Sequence, residues 1–67
     1  MKDYIDRLIE LRIDNDIKQE TIANLLNTYQ SNYSKIERKE RKLSIEQLVT
    51  LCHYYKVSAD YILDIKK

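Results

Sequence analysis

The sequence predicts an all-α fold, a compact bundle of five short helices, and three observations lead there. The 67 residues include no glycine and no proline, so the residues that most often mark hairpins and long loops are missing. Apolar residues recur at three- and four-residue intervals in successive blocks, the period of one helical face. Several blocks are headed by an Asp or Ser followed three positions later by Asp or Gln, the signature of a capped helix start. A chain of this length has room for one core, so residues 1–67 are read as a single domain. Positions requiring positive φ must then fall to Asn or Asp, which tolerate it better than most residues.

The first helix begins after Asp3, with Asp6 completing the cap, and runs to about Asp14, burying Ile5, Leu8 and Leu11. Arg12 stands four residues past Leu8, on that same buried side, and an inward arginine needs an anionic partner. Glu37, on the inward face of the third helix, is the candidate, so the sequence predicts an Arg12–Glu37 ion pair. Ile9 and Ile13, four apart, form a second apolar stripe read as the edge of the core. Asn15 and Asp16 make the first turn, and Asp16 with Gln19 is the expected capping box of the second helix, since the alternative cap, Lys18, has no acceptor.

That helix runs to about Leu26 with Ile22, Ala23 and Leu26 inward. Asn27 is placed to take the left-handed conformation that ends a helix, and Thr28 to accept from the free N–H groups of the next one. The third helix spans about 29–38. Its inward face is Tyr33, Ile36 and Glu37, the Tyr33 hydroxyl being expected to reach solvent; its outward face is Gln30, Ser31, Ser34, Lys35 and Arg38, all hydrogen-bonding or cationic. A cationic loop, 39–42, follows. Ser44 with Gln47 caps the fourth helix and Leu43 staples onto Leu48; Ile45, Leu48, Leu51, Cys52 and Tyr55 are its expected buried face, ending near Lys56. The fifth helix is capped by Ser58, stapled by Val57 and Ile62, and carries Asp60 near its positive end. Ala59, Ile62 and Leu63 are expected to face inward and 64–67 to fray.

Composition excludes several function classes. The apolar runs never approach the roughly 20 residues that span a bilayer, and no signal-peptide pattern opens the chain, so a cytoplasmic protein is expected. The lone Cys52 has no partner for an internal disulfide and no Cys or His cluster around it; it is read as a small core residue, and His53 as a surface histidine. One His, one Cys and scattered carboxylates make no nucleophile–base pair, so neither an enzyme, a metal site nor a cofactor is expected. The formal net charge is only +1, but it is unevenly spread. Residues 1–28 carry a net −2, whereas in 29–42 five cations (Lys35, Arg38, Lys39, Arg41, Lys42) stand against Glu37 and Glu40, a net +3 that coincides with the odd third helix and its loop.

With these residues laid out, the chain resembles the lambda-repressor/Cro type of helix-turn-helix domain over nearly its whole length. The matching stretches are Gln19-Glu20-Thr21-Ile22-Ala23, Leu26, Tyr33-Ser34-Lys35-Ile36-Glu37, Leu43 to Leu48, and Val57 to Leu63. The resemblance places the helix-turn-helix at about 18–38 and agrees with an Arg12–Glu37 pair. Four positions depart from the family's pattern. Asn27 and Lys39 stand where Gly is common, Lys18 replaces the usual Ser or Thr cap, and Leu43 replaces a frequent Pro.

What the resemblance implies is sequence-specific binding of double-stranded DNA by a small transcriptional regulator, a repressor, that reads the major groove with its third helix. By resemblance, Gln30, Ser31 and Lys35 match positions that reach base edges, with Asn32 and Ser34 as secondary contacts, and Gln19 matches a phosphate contact. Tyr29, Arg38, Arg41 and Lys42 are expected to contact phosphate as well. Because one helix reads only a few base pairs, a two-fold homodimer is expected; in this type of domain the loop before the fourth helix and the start of the fifth commonly serve, which points to Asp60, Tyr61 and Leu43. The chain ends directly after the fifth helix, so control is expected through expression level or a protein antagonist. The competing expectation is an antitoxin or protein-interaction module that has kept the scaffold, with Ile9, Ile13 and Tyr54 as its apolar patch.

Overall fold

A computed structural model of the chain describes residues 3–63, so the expected fraying of 64–67 lies outside the described residues. Those residues form five helices: α1 Tyr4–Asp14, α2 Gln19–Leu25, α3 Gln30–Glu37, α4 Ile45–Tyr55 and α5 Ala59–Leu63. Two starts form as the sequence predicts. The Asp3 side chain accepts from the Asp6 N–H at 3.0 Å while Asp6 accepts from the Asp3 N–H, and Ser44 and Gln47 make the same reciprocal box at 3.1 and 3.0 Å. Ser58 Oγ accepts from the Tyr61 N–H at 3.1 Å, as expected for the start of α5.

Two starts do not. The expected Asp16–Gln19 box is absent; Lys18 is the N-cap of α2 and supplies no side-chain bond. Asp16 is committed elsewhere, at φ 55° in the left-handed region, and the Gln19 side chain turns to Glu37 and Gln30 instead. At α3 the N-cap is Tyr29, also without a side-chain bond, and Thr28 Oγ accepts from the Asn32 side chain at 3.1 Å rather than from a backbone N–H.

The four connections share one device. Each holds a single left-handed residue, Asp16, Asn27, Lys39 and Lys56, at φ 55–65°. The next residue's N–H bonds back five positions in each case: Ile17 to Arg12, Thr28 to Ala23, Glu40 to Lys35, and Val57 to Cys52, all at 2.9–3.0 Å. The left-handed residue itself bonds back three positions, to the carbonyls of Ile13, Asn24, Ile36 and His53. This is the Schellman closure, repeated four times in a chain without glycine. Asn27 behaves as expected, but two of the four positions are Lys, not Asn or Asp, because the closure's hydrogen bonds and the core contacts around it outweigh the cost of about 1–2 kcal/mol per residue.

The core is Ile5 and Leu8 of α1, Ile22 and Ala23 of α2, Tyr33 and Ile36 of α3, Leu51 and Cys52 of α4, and Ile62 of α5. Each helix contributes one or two side chains. A buried aliphatic or aromatic side chain contributes about 1.5–3 kcal/mol, enough for the fully enclosed Ile62 to anchor the five-residue α5. Leu11, Leu26, Leu48 and Tyr55 pack at the edge of this core, as do Leu43 and Ile9. Three expectations of burial fail. Ile45 is 80% exposed, and Ala59 and Leu63 are exposed too, because α4 turns Leu48, Leu51 and Cys52 toward the core and the buried side chain of α5 is Ile62. Ile13, expected at the core edge, is also exposed.

Candidate nucleic-acid interface

The geometry of α3 is set at its two ends. Tyr33 and Ile36 are 1% and 3% exposed and lock the inner face into the core. At the C-terminal end, Arg12 Nε donates to Glu37 Oε2 at 2.6 Å and Nη2 to Oε1 at 3.1 Å, the bidentate pair that the sequence predicts. Arg12 Nη1 also donates to the Ile17 carbonyl at 2.9 Å, so one guanidinium ties α1 to the start of α2 and the end of α3. Glu37 Oε1 accepts a further bond from Gln19 Nε2 at 2.8 Å. The Tyr33 side chain is 1% exposed, so its hydroxyl does not reach solvent as expected; burial first, and the neighbouring Glu37 carboxylate second, push its pKa upward. Burial alone would raise the Glu37 carboxyl, but the hydrogen bonds from Arg12 and Gln19, with the nearby Tyr33 hydroxyl, outweigh it and hold the group below the usual glutamate range.

The outer face is open. Gln30, Ser31 and Lys35 are exposed, whereas Asn32 and Ser34 are half-buried and engaged locally. Asn32 bonds to Thr28, and Ser34 Oγ accepts from Arg38 Nη1 at 2.7 Å. Gln30 Nε2 donates to Gln19 Oε1 at 3.2 Å, bringing the two glutamines together at the meeting of α2 and α3. Tyr29, 78% exposed, stands at the head of α3 beside a shallow polar hollow lined by Asn24, Asn27 and Thr28.

The cations of 29–42 divide into two groups. Arg38 pairs with Glu40 at 2.9 Å, both exposed, and Lys39 reaches across to α1, 3.0 Å from Asp3 and 3.2 Å from Asp6. That contact lowers the Asp3 pKa, after the larger effect of the Asp6 N–H, and raises that of Lys39. Lys35, Arg41 and Lys42 are exposed and make no ion pair among the described residues. Of the residues expected at a self-contact, Asp60 and Tyr61 are exposed and Leu43 is half-buried, with the Arg7 guanidinium 5.6 Å from the Tyr61 ring centre.

Two features escaped the sequence. The Gln30–Gln19–Glu37 chain joins residues up to 18 apart, and no spacing signal marks it. Ile45 and the half-exposed Val49 are one turn apart on α4 and face outward, and Val49 lines a groove with Cys52, His53, Lys56, Val57 and Ala59. The four-residue spacing of Ile45 and Val49 was there to be seen; what hid it was a second apolar stripe, Leu48, Leu51, Cys52 and Tyr55, on the neighbouring face. Among the described residues no group of three or more His, Cys, Asp or Glu is placed to hold a metal, and no helix is long and apolar enough to cross a membrane.

Residues 5–66 match a family described as helix-turn-helix domain. The chain is 34% identical over 62 residues to an uncharacterized HTH-type transcriptional regulator, YobD, of Bacillus subtilis (strain 168). The match covers 92% of this chain and 55% of that protein, so the chain spans little more than half the length of this relative. Among solved structures it is similar to the P22 c2 repressor protein, crystallised with the synthetic operator 9T in the presence of Tl+, with a TM-score of 0.80 and 24% identity over 94% of this chain and 96% of that one. That likeness shows the shared fold.

Proposed function

From the premise that the chain belongs to the helix-turn-helix domain family, we propose that it is a transcriptional repressor that binds double-stranded DNA and reads the major groove with α3. One observation carries this reading. The outer edge of α3 presents Gln30, Ser31 and Lys35 to solvent, unobstructed, while the inner edge is sealed in the core. A B-DNA major groove admits one helix, and amide, hydroxyl and ammonium groups are the kinds that pair with its base edges. Gln30, Ser31 and Lys35 reach bases; Asn32 and Ser34, half-buried, serve as secondary contacts. Gln19, Tyr29, Arg38, Arg41 and Lys42 hold phosphate and fix the register without reading sequence.

The repressor acts as a two-fold homodimer on half-sites about 34 Å apart, one turn of the duplex. Asp60, Tyr61 and Leu43 lie at the contact, and Ile45 with Val49 adds apolar area to it. A second reading has an observation of its own. The same exposed Ile45 and Val49 suit a protein-interaction module such as an antitoxin; of the Ile9, Ile13 and Tyr54 set expected from sequence, Ile13 and Tyr54 are exposed and Ile9 packs on the core.

Selection from a randomised duplex pool, followed by binding to the winning duplex across a salt series, tests the primary reading. The expected result is a two-fold-symmetric operator and an affinity that falls steeply with salt. Absence of binding to any duplex at low salt would refute it and favour the interaction module.

A further inference from the structure

Lys39 stands where glycine is common in domains that the chain resembles, and it adds a cation directly after α3. In sequence it lies between Arg38 and Arg41, two proposed phosphate contacts, yet it reaches across to the head of α1. Its Nζ is 3.0 Å from Asp3 Oδ2 and 3.2 Å from both Asp6 oxygens. An ammonium has three N–H donors, so these three oxygens can occupy all of them. The carboxylates need not be gathered for the purpose. Asp3 accepts from the Asp6 N–H at 3.0 Å and Asp6 from the Asp3 N–H at 3.2 Å, so the capping box of α1 holds both side chains in place by itself. Docking Lys39 therefore orders one long side chain against a preset pair of anions, unlike the single Arg38–Glu40 pair, whose members are both more than half exposed. The bonds to Asp3 and then Asp6 raise the Lys39 pKa, which keeps the ammonium charged. Arg41 and Lys42 line the same hollow as Asp3 and Lys39, so a released Lys39 would stand among the cations assigned to phosphate.

We propose that Asp3 and Asp6 serve as an internal substitute for DNA phosphate: they hold Lys39 off the duplex and so limit the sequence-independent affinity of the domain. This rests on the DNA-binding function above but on no particular base contact. Were Lys39 to move to a phosphate, the counterion released from DNA would be offset by two carboxylates left without their cation, so the exchange gains little. Removing the carboxylate charges removes that offset and adds Lys39 to the phosphate contacts.

Binding to a random duplex across a salt series compares the wild type with Lys39→Asn, Asp3→Asn/Asp6→Asn and the triple variant, each checked for folding by circular dichroism. Asn suits all three positions, because it replaces Asp in a cap at little cost and tolerates the left-handed turn. Lys39→Asn should leave the slope of log affinity against log salt unchanged. Asp3→Asn/Asp6→Asn should steepen the slope by about 0.9 and tighten binding about eightfold at roughly 0.1 M salt, relative to a molar reference. Adding Lys39→Asn should abolish both gains. Should the paired variant fail to fold, Asp3→Asn alone repeats the comparison with the Asp6 half of the box intact. The inference is overturned if Lys39→Asn by itself flattens the slope by about 0.9, which makes Lys39 a phosphate contact already. It is equally overturned if neutralising the aspartates brings no gain, or if the gain survives in the triple variant, the mark of a general field effect. A wild type that binds no duplex at low salt overturns the DNA-binding function itself, a result distinct from these.

Discussion

Replacing Arg12 by Met should be among the most destabilising single changes in the domain that leave its apolar packing in place. It removes two charge-assisted bonds to Glu37 and one to the Ile17 carbonyl, and it leaves a carboxylate whose side chain is 8% exposed with the Gln19 amide as its remaining hydrogen-bond donor among the described residues. Breaking a fully buried pair from one side costs about 3–5 kcal/mol. Arg12 keeps 15% of its side-chain exposure, so the lower end of that range, about 3 kcal/mol, is the expected loss. A domain of this size has roughly 3–10 kcal/mol in total, and about 3 kcal/mol lowers its Tm by roughly 12–24 °C. Thermal and urea unfolding followed by circular dichroism measure it. The double variant Arg12→Met/Glu37→Leu should recover at least half of the loss, because the stranded charge is gone. The pH dependence has a definite sign. Glu37 sits below its ordinary value of 4.5 in the fold, so its contribution is fully present above that value and is lost as pH falls through the lower folded one. The double variant should lack that share of the acid sensitivity. A single variant costing less than about 1 kcal/mol, or a double variant no better than the single, would refute the reasoning.

Lys56→Gly should stabilise the domain by about 0.5–1 kcal/mol, since glycine removes the left-handed penalty at φ 58° and Lys56 makes no ion pair among the described residues; thermal unfolding reads the gain. Lys39→Gly at φ 65° should gain less by the same assay, because it also surrenders the contacts to Asp3 and Asp6. Ser44→Ala should cost about 1 kcal/mol through loss of the α4 box. Ile45→Lys with Val49→Lys should shift sedimentation toward monomer and weaken operator binding while leaving Tm nearly unchanged, given how exposed both side chains are. Lys42→Ala and Arg41→Ala should each flatten the slope of log affinity against log salt by about 0.9, whereas an unchanged slope would remove that residue from the phosphate contacts.

How much of this was legible in the sequence follows from the range of the interactions. Helix starts at Asp3 and Ser44 were readable because a capping box is completed within four residues. The Arg12–Glu37 pair spans 25 residues, yet it was readable because an inward-facing charge in a small core demands a partner and few carboxylates face inward. Asp16 misled because two local roles compete for it, capping α2 and closing α1, and the closure won through its 3.0 Å bonds. Lys56 in a left-handed position was not legible, since the residue type argues against it and only the surrounding hydrogen bonds demand it, whereas Lys39 was marked only by the resemblance, which sets it where Gly is common. On α4 the periodicity gave two adjacent apolar stripes, and choosing which half of Ile45, Leu48, Val49 and Leu51 turned inward needed the position of α5. At the candidate interface, the exposed edge of α3 was legible as a polar helical face, but the partners of its side chains were not, because amide contacts such as Gln19 to Gln30 leave no periodic trace.

The folded chain reshapes the charge argument that the sequence suggested. The net +3 of residues 29–42 is redistributed and not reduced: Lys39 is neutralised by the two aspartates at the head of α1, and Glu37, an anion of the same stretch, is neutralised by Arg12. Among the described residues, Lys35, Arg41 and Lys42 remain without ion pairs, and Arg38 is restrained by Ser34 and by a pair whose members are more than half exposed, the kind that a phosphate readily displaces. The three of these assigned to phosphate, Arg38, Arg41 and Lys42, give a salt slope of about −3 per protomer and an affinity that physiological salt erodes quickly. A single copy of this domain is therefore a weak binder on electrostatic grounds alone. Two copies on adjacent half-sites double the slope and multiply their affinities, which makes the apolar surface at Ile45 and Val49 a condition of tight binding in the proposed function rather than an accessory to it.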